Sequence, residues 1–337
     1  MFTPQYHISA ALLRTLKRIA VLVHDLNKAS VGEPLRVALS AQARTQSVYA
    51  STTIEGNPLA LTAVKALLKR KPERLSQSEQ EVINYNRALT ELETQTFSER
   101  TVLALHDTVM TDLLFKEKRG AYRKEPVFIH DPRTLEVVFL LPDHGDVQGL
   151  MDDLYTFVEA RRELAPVILA GLFHKQFALV HPFIDGNGRT VRLASTLLLR
   201  DLGVDLFSLL SFEDYYNQNV TRYFQYVGGQ GDFYEVRDQV DFTPWLEYFA
   251  EGIALELGRL EANLARKRAQ TLCLREHHIL ILNHLREHGF MSDRDYAKLV
   301  DRAKATRALD FKFLLDAGLI ERKGRGPGIY YILTETP

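Results

Sequence analysis

The stretch H-P-F-I-D-G-N-G-R-T-V-R, His181 to Arg192, places a base, an acid, an amide, two arginines and two glycines within twelve positions. The apolar run before it, A-P-V-I-L-A-G-L-F-H-K-Q-F-A-L-V, predicts a buried helix. The run after it, V-R-L-A-S-T-L-L-L-R-D-L, predicts a second helix that ends at Gly203. The stretch is therefore predicted to be a tight loop between two core helices.

This loop is suited to an anionic ligand. The start of a helix presents unpaired backbone N–H groups and a partial positive charge. Gly186 and Gly188 let the backbone approach a ligand closely, and Asn187 adds an amide donor between them. Arg189 and Arg192 lie three residues apart and share one helix face. Two guanidiniums beside a glycine-rich turn are typical of a polyphosphate site.

The reactive groups of the loop are an acid and a base. Asp185 is a hard oxygen ligand, and Mg²⁺ commonly binds carboxylates together with phosphate oxygens. His181 is the candidate general base because its ordinary pKa is nearest to neutrality. Pro182 is expected to hold His181 in an extended conformation, and Phe183 to anchor the loop. Together they predict nucleotidyl transfer from a nucleoside triphosphate on Mg²⁺ to a hydroxyl that His181 deprotonates.

The stretch resembles the signature of the Fic family, H-x-F-x-[DE]-G-N-G-R-x-x-R, at every specified position. The resemblance implies a mainly α fold, a Fic or Fido helical bundle with a β-hairpin flap. It also implies transfer of AMP from ATP, with Mg²⁺, to a Ser, Thr or Tyr hydroxyl of a target protein. By this likeness His181 is the base, Asp185 binds Mg²⁺, Asn187 belongs to an anion hole, and Arg189 and Arg192 hold the phosphates. The other loop residues expected at the nucleotide are Gly186, Gly188 and Thr190.

A second motif lies upstream, at the end of a helix predicted from Pro34 to Ile54. Glu55 follows this helix, where the backbone dipole disfavours a carboxylate. Local reasoning alone allows a solvated glutamate at a frayed helix end. However, S-T-T-I-E-G, Ser51 to Gly56, resembles the Fic inhibitory motif [ST]-x-x-x-E-[GN]. That resemblance implies that Glu55 pairs with Arg192, so that ATP binds in a pose unsuited to in-line attack.

A β-prone region interrupts the helical pattern at Pro126 to His130 and Leu135 to Leu141, with the turn D-P-R-T between them. One interpretation is a surface flap without function, and the other is a strand edge that binds a segment of the target. A G-x-Y-R turn before such a hairpin resembles the Fic flap, which implies that the target docks on residues 126–141. The expected flap residues are Val127, Phe128 and Ile129.

The segment Ser76 to Thr94 predicts a helix with an S-x-x-E capping box at its start, Ser78 to Glu81. The glycine-rich run Gly228 to Asp232 predicts a loop.

An aromatic segment before that loop, Phe212 to Val227, predicts one helix. Its rings are suited either to stacking on a purine or to filling the core, and for any single ring core filling is commoner. By family likeness Tyr223 is the best candidate for a nucleotide contact, with Asn219 behind it.

The C-terminal part predicts three helices and a hairpin with a basic, glycine-rich tip, which resembles a winged helix-turn-helix domain. DNA and protein partners are both open for it. The candidate DNA contacts are Lys304, Thr306, Arg307 and Arg325. The predicted domains are a helical segment with the inhibitory motif at 1–95, the catalytic core at 96–255 and the winged helix at 270–337.

Composition narrows the classes of function. The chain has 337 residues, of which 42 are Lys or Arg and 43 are Asp or Glu, so no global charge attracts nucleic acid or a membrane. A single cysteine, Cys273, excludes an intramolecular disulfide. The first predicted helix carries Arg14, Lys17 and Arg18 and no apolar run is long enough to cross a membrane, so the cytoplasm is the expected location. The histidines expected on the surface without a metal are His277, His278, His284 and His288.

Three other functions are compatible with the sequence. The same site is suited to the reverse reaction, with Glu55 positioning the water that removes AMP. Related chemistry with another nucleotide donor is possible, since no residue is assigned to reading the base. A different class of answer is a DNA-binding regulator whose Fic-like part only senses nucleotide. A homodimer is also compatible with the sequence.

Overall fold

The computed structural model describes residues 1–29, 33–69, 74–130, 137–272, 274–324 and 326–334. The predicted mainly α fold is confirmed. The predicted turn at 131–134, Cys273 and Arg325 lie outside the described residues.

The described helices are α1 (Ala10–Lys28), α2 (Glu33–Ile54), α3 (Leu61–Leu68), α4 (Gln77–Leu92), α5 (Glu99–Val109), α6 (Val147–Ala160), α7 (Pro166–Val180), α8 (Asn187–Asp201), α9 (Asp214–Asn217), α10 (Val220–Val227), α11 (Phe233–Val236), α12 (Thr243–Leu272), α13 (Glu276–His288), α14 (Asp293–Leu299) and α15 (Lys304–Asp316). The described strands are β1 (Phe128–His130), β2 (Val137–Leu140), β3 (Gly231–Asp232), β4 (Ile320–Lys323) and β5 (Tyr330–Leu333).

The chain divides into two compact units. The larger unit is formed by Met1–Ser30 and Leu39–Gly258, and the smaller unit by Val31–Ala38 and Arg259–Pro337. Most of the predicted segments 1–95 and 96–255 therefore lies within one unit. None of the described helices combines the length and the apolarity that crossing a bilayer requires.

The centre of the larger unit is the helix pair α7 and α8, as the sequence predicts. Helix α7 is buried on all sides, packing on α6, α8 and α10, while α4 and α5 cover α8. The indole of Trp245 in α12 donates to the carbonyl of Gly171 in α7 at 2.8 Å. A Cβ at Gly171 would lie 2.7 Å from Leu246 Cδ2, so this glycine is needed for the close approach of the two helices. The loop between α7 and α8 is thus held at both ends by core helices.

The predicted hairpin belongs to a three-stranded sheet in the order β1-β2-β3. Strands β1 and β2 are antiparallel, and β2 and β3 are parallel. The expectation that Gly231 and Asp232 form only a loop is wrong, because they pair with Phe139 and Leu140. The edge of this small sheet opposite β3 is formed by β1.

Two helix predictions also need correction. The helix predicted from Phe212 to Val227 is interrupted between α9 and α10, where Asn219 caps α10 by accepting from the N–H of Arg222 at 3.0 Å. The predicted capping box of α4, Ser78 with Glu81, is wrong by two residues. Ser76 caps this helix, and its hydroxyl and backbone N–H are bonded reciprocally to Glu79. A second S-x-x-E pattern two positions away explains the error.

The smaller unit contains the helices α13, α14 and α15 and the antiparallel strands β4 and β5, in the order predicted for a winged helix. Ser292 caps α14, and Met291 forms a bridge to Tyr331 that attaches the hairpin to the helices. The buried core of this unit consists of Ile281, Leu285, Met291, Tyr296, Phe311, Leu314 and Ile320. Its assignment as a winged helix stays a prediction.

The expectation that His277 and His278 lie on the surface is wrong. Their Nε2 atoms lie 3.1 and 3.6 Å from Oδ1 of the buried Asp310. The Nδ1 of His277 faces an N–H of Arg302 at 3.0 Å, and the Nδ1 of His278 faces the backbone N–H of Arg275 at 3.2 Å. Both Nδ1 atoms therefore accept, so both Nε2 atoms carry protons. The two protonated Nε2 atoms face one carboxylate. A metal ion bound at these Nε2 atoms would need a lone pair on each, so the arrangement does not fit a metal site.

Candidate active site

His181 ends α7 in a left-handed conformation, with φ 50° and ψ 63°. The expectation that it is extended is wrong. Pro182 does disfavour a right-handed helical conformation at His181, but the chain must turn at once to reach α8. A left-handed residue at a helix end achieves this turn. The N–H of His181 still donates to the carbonyl of Phe177 at 2.9 Å, so the base is fixed to the helix behind it.

The loop is closed from within by Asn187. Its Oδ1 accepts from the N–H of Phe183 at 2.9 Å, and its Nδ2 donates to the carbonyl of Phe183 at 2.8 Å. The side-chain amide expected in an anion hole therefore closes the loop instead, and Phe183 is fully buried, as an anchor should be. The first backbone bond inside α8 runs from Thr190 to Gly186, which leaves the N–H groups before it for a ligand.

Both arginines of the motif, Arg189 and Arg192, are buried. Arg189 donates to Asp185 Oδ1 at 3.4 Å and lies 4.0 Å from Glu81 Oε1. The Nε and one terminal nitrogen of Arg189, and one terminal nitrogen of Arg192, have no hydrogen-bond partner among the described residues. Buried donors of this kind fit an anionic ligand. The side chain of Asp185, in contrast, is 60% exposed.

The structure brings the two sequence motifs together. Glu55 Oε1 accepts from Arg192 at 2.8 Å, and Ser51 accepts from the same guanidinium through its hydroxyl at 2.8 Å and its carbonyl at 2.9 Å. A Cβ placed on Gly188 would lie 2.2 Å from Glu55 Oε1, so the carboxylate touches the start of α8. Burial disfavours the charged form of Arg192, but the Glu55 carboxylate and neighbouring tyrosines raise its pKa above the ordinary value.

The environment of His181 keeps its imidazole neutral. Burial lowers the pKa of His181 to about 4, and this outweighs the nearby Glu55 and Asp185 carboxylates, which act in the opposite direction. At neutral pH the ring therefore has a free lone pair. That is the protonation state a general base needs.

A cavity of about 930 Å³ opens beside the loop. Its size is within the range that small-molecule sites usually have. Glu55, His181 and Gly188 line one end, the flap strands contribute Ile129 and Val138, and α10 forms much of the remaining wall. The exposed face of α10 contributes Thr221, Phe224 and Gln225.

The remaining residues expected at the nucleotide differ in whether they line the cavity. Tyr223 lines the cavity, and its hydroxyl lies 2.9 Å from His174 Nε2. Asn219 caps α10 and is not among the described residues that line the cavity. Val127 is half-buried just before β1, and Thr190 is fully buried in α8.

Two residues at this site were missed by sequence reasoning. His106 in α5 contacts the backbone of Asp185, with Nε2 at 3.0 Å from its carbonyl oxygen. Arg123 donates from Nε to the carbonyl of His181 at 2.9 Å. Both contacts join residues that are far apart in the sequence. The sequence around a single histidine on an apolar helix does not predict such a contact. Only the G-A-Y-R turn that contains Arg123 was visible as part of the flap pattern.

Residues 96–199, which include the loop between α7 and α8, match the family model described as Fic/DOC family. Several curated relatives are named protein adenylyltransferase. The Caenorhabditis briggsae protein adenylyltransferase fic-1 is 28% identical over 203 residues, covering 56% of this chain and 38% of that protein. The Nematostella vectensis protein adenylyltransferase Fic is 24% identical over 223 residues, covering 62% of this chain and 48% of that protein. The chain thus spans less than half of the length of these relatives.

Solved structures show the same fold. A Fic family protein from Desulfovibrio desulfuricans G20 has a TM-score of 0.69 and 24% identity, with 99% of both chains covered. Fic-1 from C. elegans has a TM-score of 0.61 and 22% identity, with 77% of this chain and 74% of that chain covered.

Proposed function

We propose that this chain transfers AMP from MgATP to a hydroxyl side chain of a protein, and that Glu55 restrains the reaction. The observation that carries the proposal is the arrangement at the start of α8. A neutral His181 and the Glu55 carboxylate line the same cavity, and Glu55 binds the buried Arg192. Arg192 and the buried Arg189 both have unused donors. The names of the curated relatives and the match to the Fic/DOC family model agree with this activity.

The residues present fit a nucleoside triphosphate with its metal ion. The unused donors of Arg189 and Arg192 and the first N–H groups of α8 match phosphate oxygens. Asp185 is the carboxylate that would hold Mg²⁺, because it is exposed beside Arg189 and Mg²⁺ favours oxygen ligands. When bound, the ion would offset the negative charge of the phosphates.

The reaction uses few groups. The hydroxyl oxygen of the target attacks the α-phosphorus of ATP, and the bond to the pyrophosphate oxygen breaks. His181 takes the hydroxyl proton, pyrophosphate leaves, and a phosphodiester to AMP remains on the target. Arg189 and Arg192 stabilise the charge on the phosphates, so the protein contributes positioning and electrostatics without a covalent enzyme intermediate.

The position of Glu55 supports its proposed inhibitory role. Its carboxylate is already bound to Arg192 and touches Gly188, where a phosphate group would also be attracted. A phosphate and this carboxylate compete for the same donors and repel one another. ATP bound in the presence of Glu55 would therefore be displaced from the pose needed for in-line attack.

The target segment is proposed to bind at the flap. Strand β1 forms an edge of the three-stranded sheet, and Ile129 within it lines the cavity that contains His181. An extended peptide added to this edge would bring its side chains to the mouth of the cavity. The exposed apolar residues of the flap strands are Phe128, Val137, Val138 and Leu140.

The nucleotide-sensing DNA regulator has less support. Arg307, a candidate DNA contact, donates two hydrogen bonds to Asp293 at 2.8 and 2.9 Å, and its side chain is 13% exposed. A guanidinium bound in this way is not available to a phosphate. The order of elements in the smaller unit still agrees with a winged helix.

The test is label transfer from α-³²P-ATP to proteins by the parent chain, Glu55→Gly and Glu55→Gly/His181→Ala. We expect transfer to increase at least about tenfold in Glu55→Gly, equivalent to about 1.4 kcal/mol, and to be lost with His181. Glu93→Gly is the matched control, since Glu93 also follows a helix and pairs with an arginine, Arg44, outside the cavity. Absence of label with Glu55→Gly would contradict the proposal. Release of AMP from a modified protein instead would identify the reverse reaction as the main activity.

A further inference from the structure

We infer that His106, Gly120 and Arg123 form a loop clamp that sets the positions of His181 and Asp185 for the reaction. The clamp is external to the Fic loop and lies in α5 and in the turn before the flap. Its members are positioning residues, because they act on the backbone of the loop and not on the reacting atoms. The inference rests on the proposed function.

His106 is the centre of the clamp. The backbone N–H of Gly120 donates to its Nδ1 at 2.9 Å. Since a backbone N–H can only donate, Nδ1 carries the lone pair and Nε2 carries the proton. Nε2 therefore donates to the carbonyl of Asp185 at 3.0 Å. The ring is fully buried and stacks on Phe183 at 3.7 Å between centroids and 3° between planes, so it cannot rotate away.

Gly120 makes this contact possible through its backbone conformation. Its φ is +61°, and a Cβ there would lie 3.0 Å from the carbonyl oxygen of Leu103. A side chain would therefore be strained at this position and would push the turn away from α5. The glycine brings its N–H to His106 and fixes which ring nitrogen faces Asp185.

Arg123 holds the other end of the loop. Its backbone N–H donates to the carbonyl of Pro182 at 2.8 Å, and its Nε donates to the carbonyl of His181 at 2.9 Å. The same guanidinium donates to the carbonyl of Pro142, which follows β2, at 2.6 Å. Arg123 is 4% exposed, so these bonds are shielded from water. The turn before the flap thus holds the backbone of His181, whose side chain is the proposed base.

The consequence concerns catalysis more than folding. The clamp fixes the carbonyls of His181, Pro182 and Asp185, and the base and the exposed carboxylate project from this fixed backbone. A displacement of about 1 Å in a reacting group can lower a rate about a hundredfold. Loss of the clamp is therefore expected to reduce kcat more than it weakens nucleotide binding, because the buried arginines of α8 are held separately.

The test uses three substitutions of His106 in the Glu55→Gly chain. His106→Gln retains an N–H donor near the position of Nε2, His106→Asn retains an acceptor near Nδ1, and His106→Phe keeps the stack on Phe183 without either bond. We expect His106→Phe to lower kcat by between about tenfold and a hundredfold, with KM for ATP changed less than about threefold. His106→Gln should recover several-fold more of kcat than His106→Asn. Thermal unfolding measured on each variant identifies any that fail to fold.

The outcomes separate the clamp from the proposed function. His24→Gln is the control, because His24 is exposed in α1, and it should retain the parent kcat. A folded His106→Phe variant with unchanged kcat, or equal kcat in the Gln and Asn variants, would overturn the clamp alone. No transfer by Glu55→Gly itself would overturn the proposed function. A ¹⁵N spectrum of the His106 ring should show a protonated Nε2 at neutral pH, and a protonated Nδ1 would also overturn the clamp.

Discussion

The guanidinium of Arg192 belongs both to the proposed inhibition and to the proposed reaction. Ser51 and Glu55, one helical turn apart in and just after α2, hold its Nε and one terminal nitrogen. Its other terminal nitrogen has no hydrogen-bond partner among the described residues. Removal of the Glu55 carboxylate would release the terminal nitrogen from its charged partner while Ser51 continued to orient the side chain. This explains how a single carboxylate could control the site without a large movement of α2.

The state of His181 predicts the pH dependence of the reaction. With its pKa lowered to about 4 by burial, the imidazole is deprotonated throughout the neutral range. In the Glu55→Gly chain kcat/KM should therefore change less than about twofold between about pH 6 and pH 8 and fall only under more acidic conditions. Initial rates of label transfer in buffers of constant ionic strength measure this profile. A loss of activity with a midpoint near about pH 6.5, the ordinary value for histidine, would show that the ring is hydrated.

The sequence predicted which side chains of the loop would carry the proposed chemistry, but it did not predict how they are held. Asp185, Arg189 and Arg192 were predictable because each lies at a fixed spacing within one short motif. The left-handed conformation of His181 was not, because local rules for a residue before proline favour extended backbone. The contact of His106 with Asp185 joins residues 79 positions apart. No periodicity or spacing rule detects such a pair.

At the scale of elements, the start of α4 gives a direct test of the observed capping. The Ser76 hydroxyl accepts from the N–H of Glu79, whereas Ser78 lies inside the helix. Ser76→Ala should lower the free energy of unfolding by about 1 kcal/mol, because one N–H of the first turn loses its partner. Ser78→Ala is the matched control and should have little effect, because the bond that Asn57 donates to Ser78 goes to the backbone carbonyl, which the substitution keeps. Urea unfolding of both variants measures the difference, and the opposite order would favour the capping box that the sequence suggested.

The elements that the sequence predicted well are long helices with a strong apolar pattern. Helix α7 was expected from its continuous apolar run, and α8 from its motif and its end near Gly203. Strand β3 was not predictable, because two residues form a strand only when β2 lies beside them. The break between α9 and α10 was missed because the aromatic pattern continues through Asn219, whose capping role depends on its backbone conformation.

At the scale of the whole molecule, burial lowers the pKa of three described histidines in the larger unit, and this has consequences for stability. Burial lowers the pKa of His106 and of His181 to about 4, and lowers that of His174 well below its ordinary value. In the unfolded chain each imidazole would titrate near about pH 6.5. The unfolded chain therefore binds more protons than the folded chain between about pH 6.5 and pH 4. The stabilisation is complete above this window and is lost as the pH falls through it.

Acidification from about pH 6.5 should accordingly lower the urea midpoint of the larger unit. His106 alone contributes roughly 3 kcal/mol over the full window. Glu213 opposes the trend, because burial raises its pKa and the folded carboxyl gains its proton first. Urea unfolding between about pH 7.5 and pH 4.5 measures the balance. His106→Gln should flatten this pH dependence, and the control His24→Gln, at an exposed residue, should leave it unchanged. A urea midpoint that stays constant or rises on acidification would show that these rings are protonated in the folded chain.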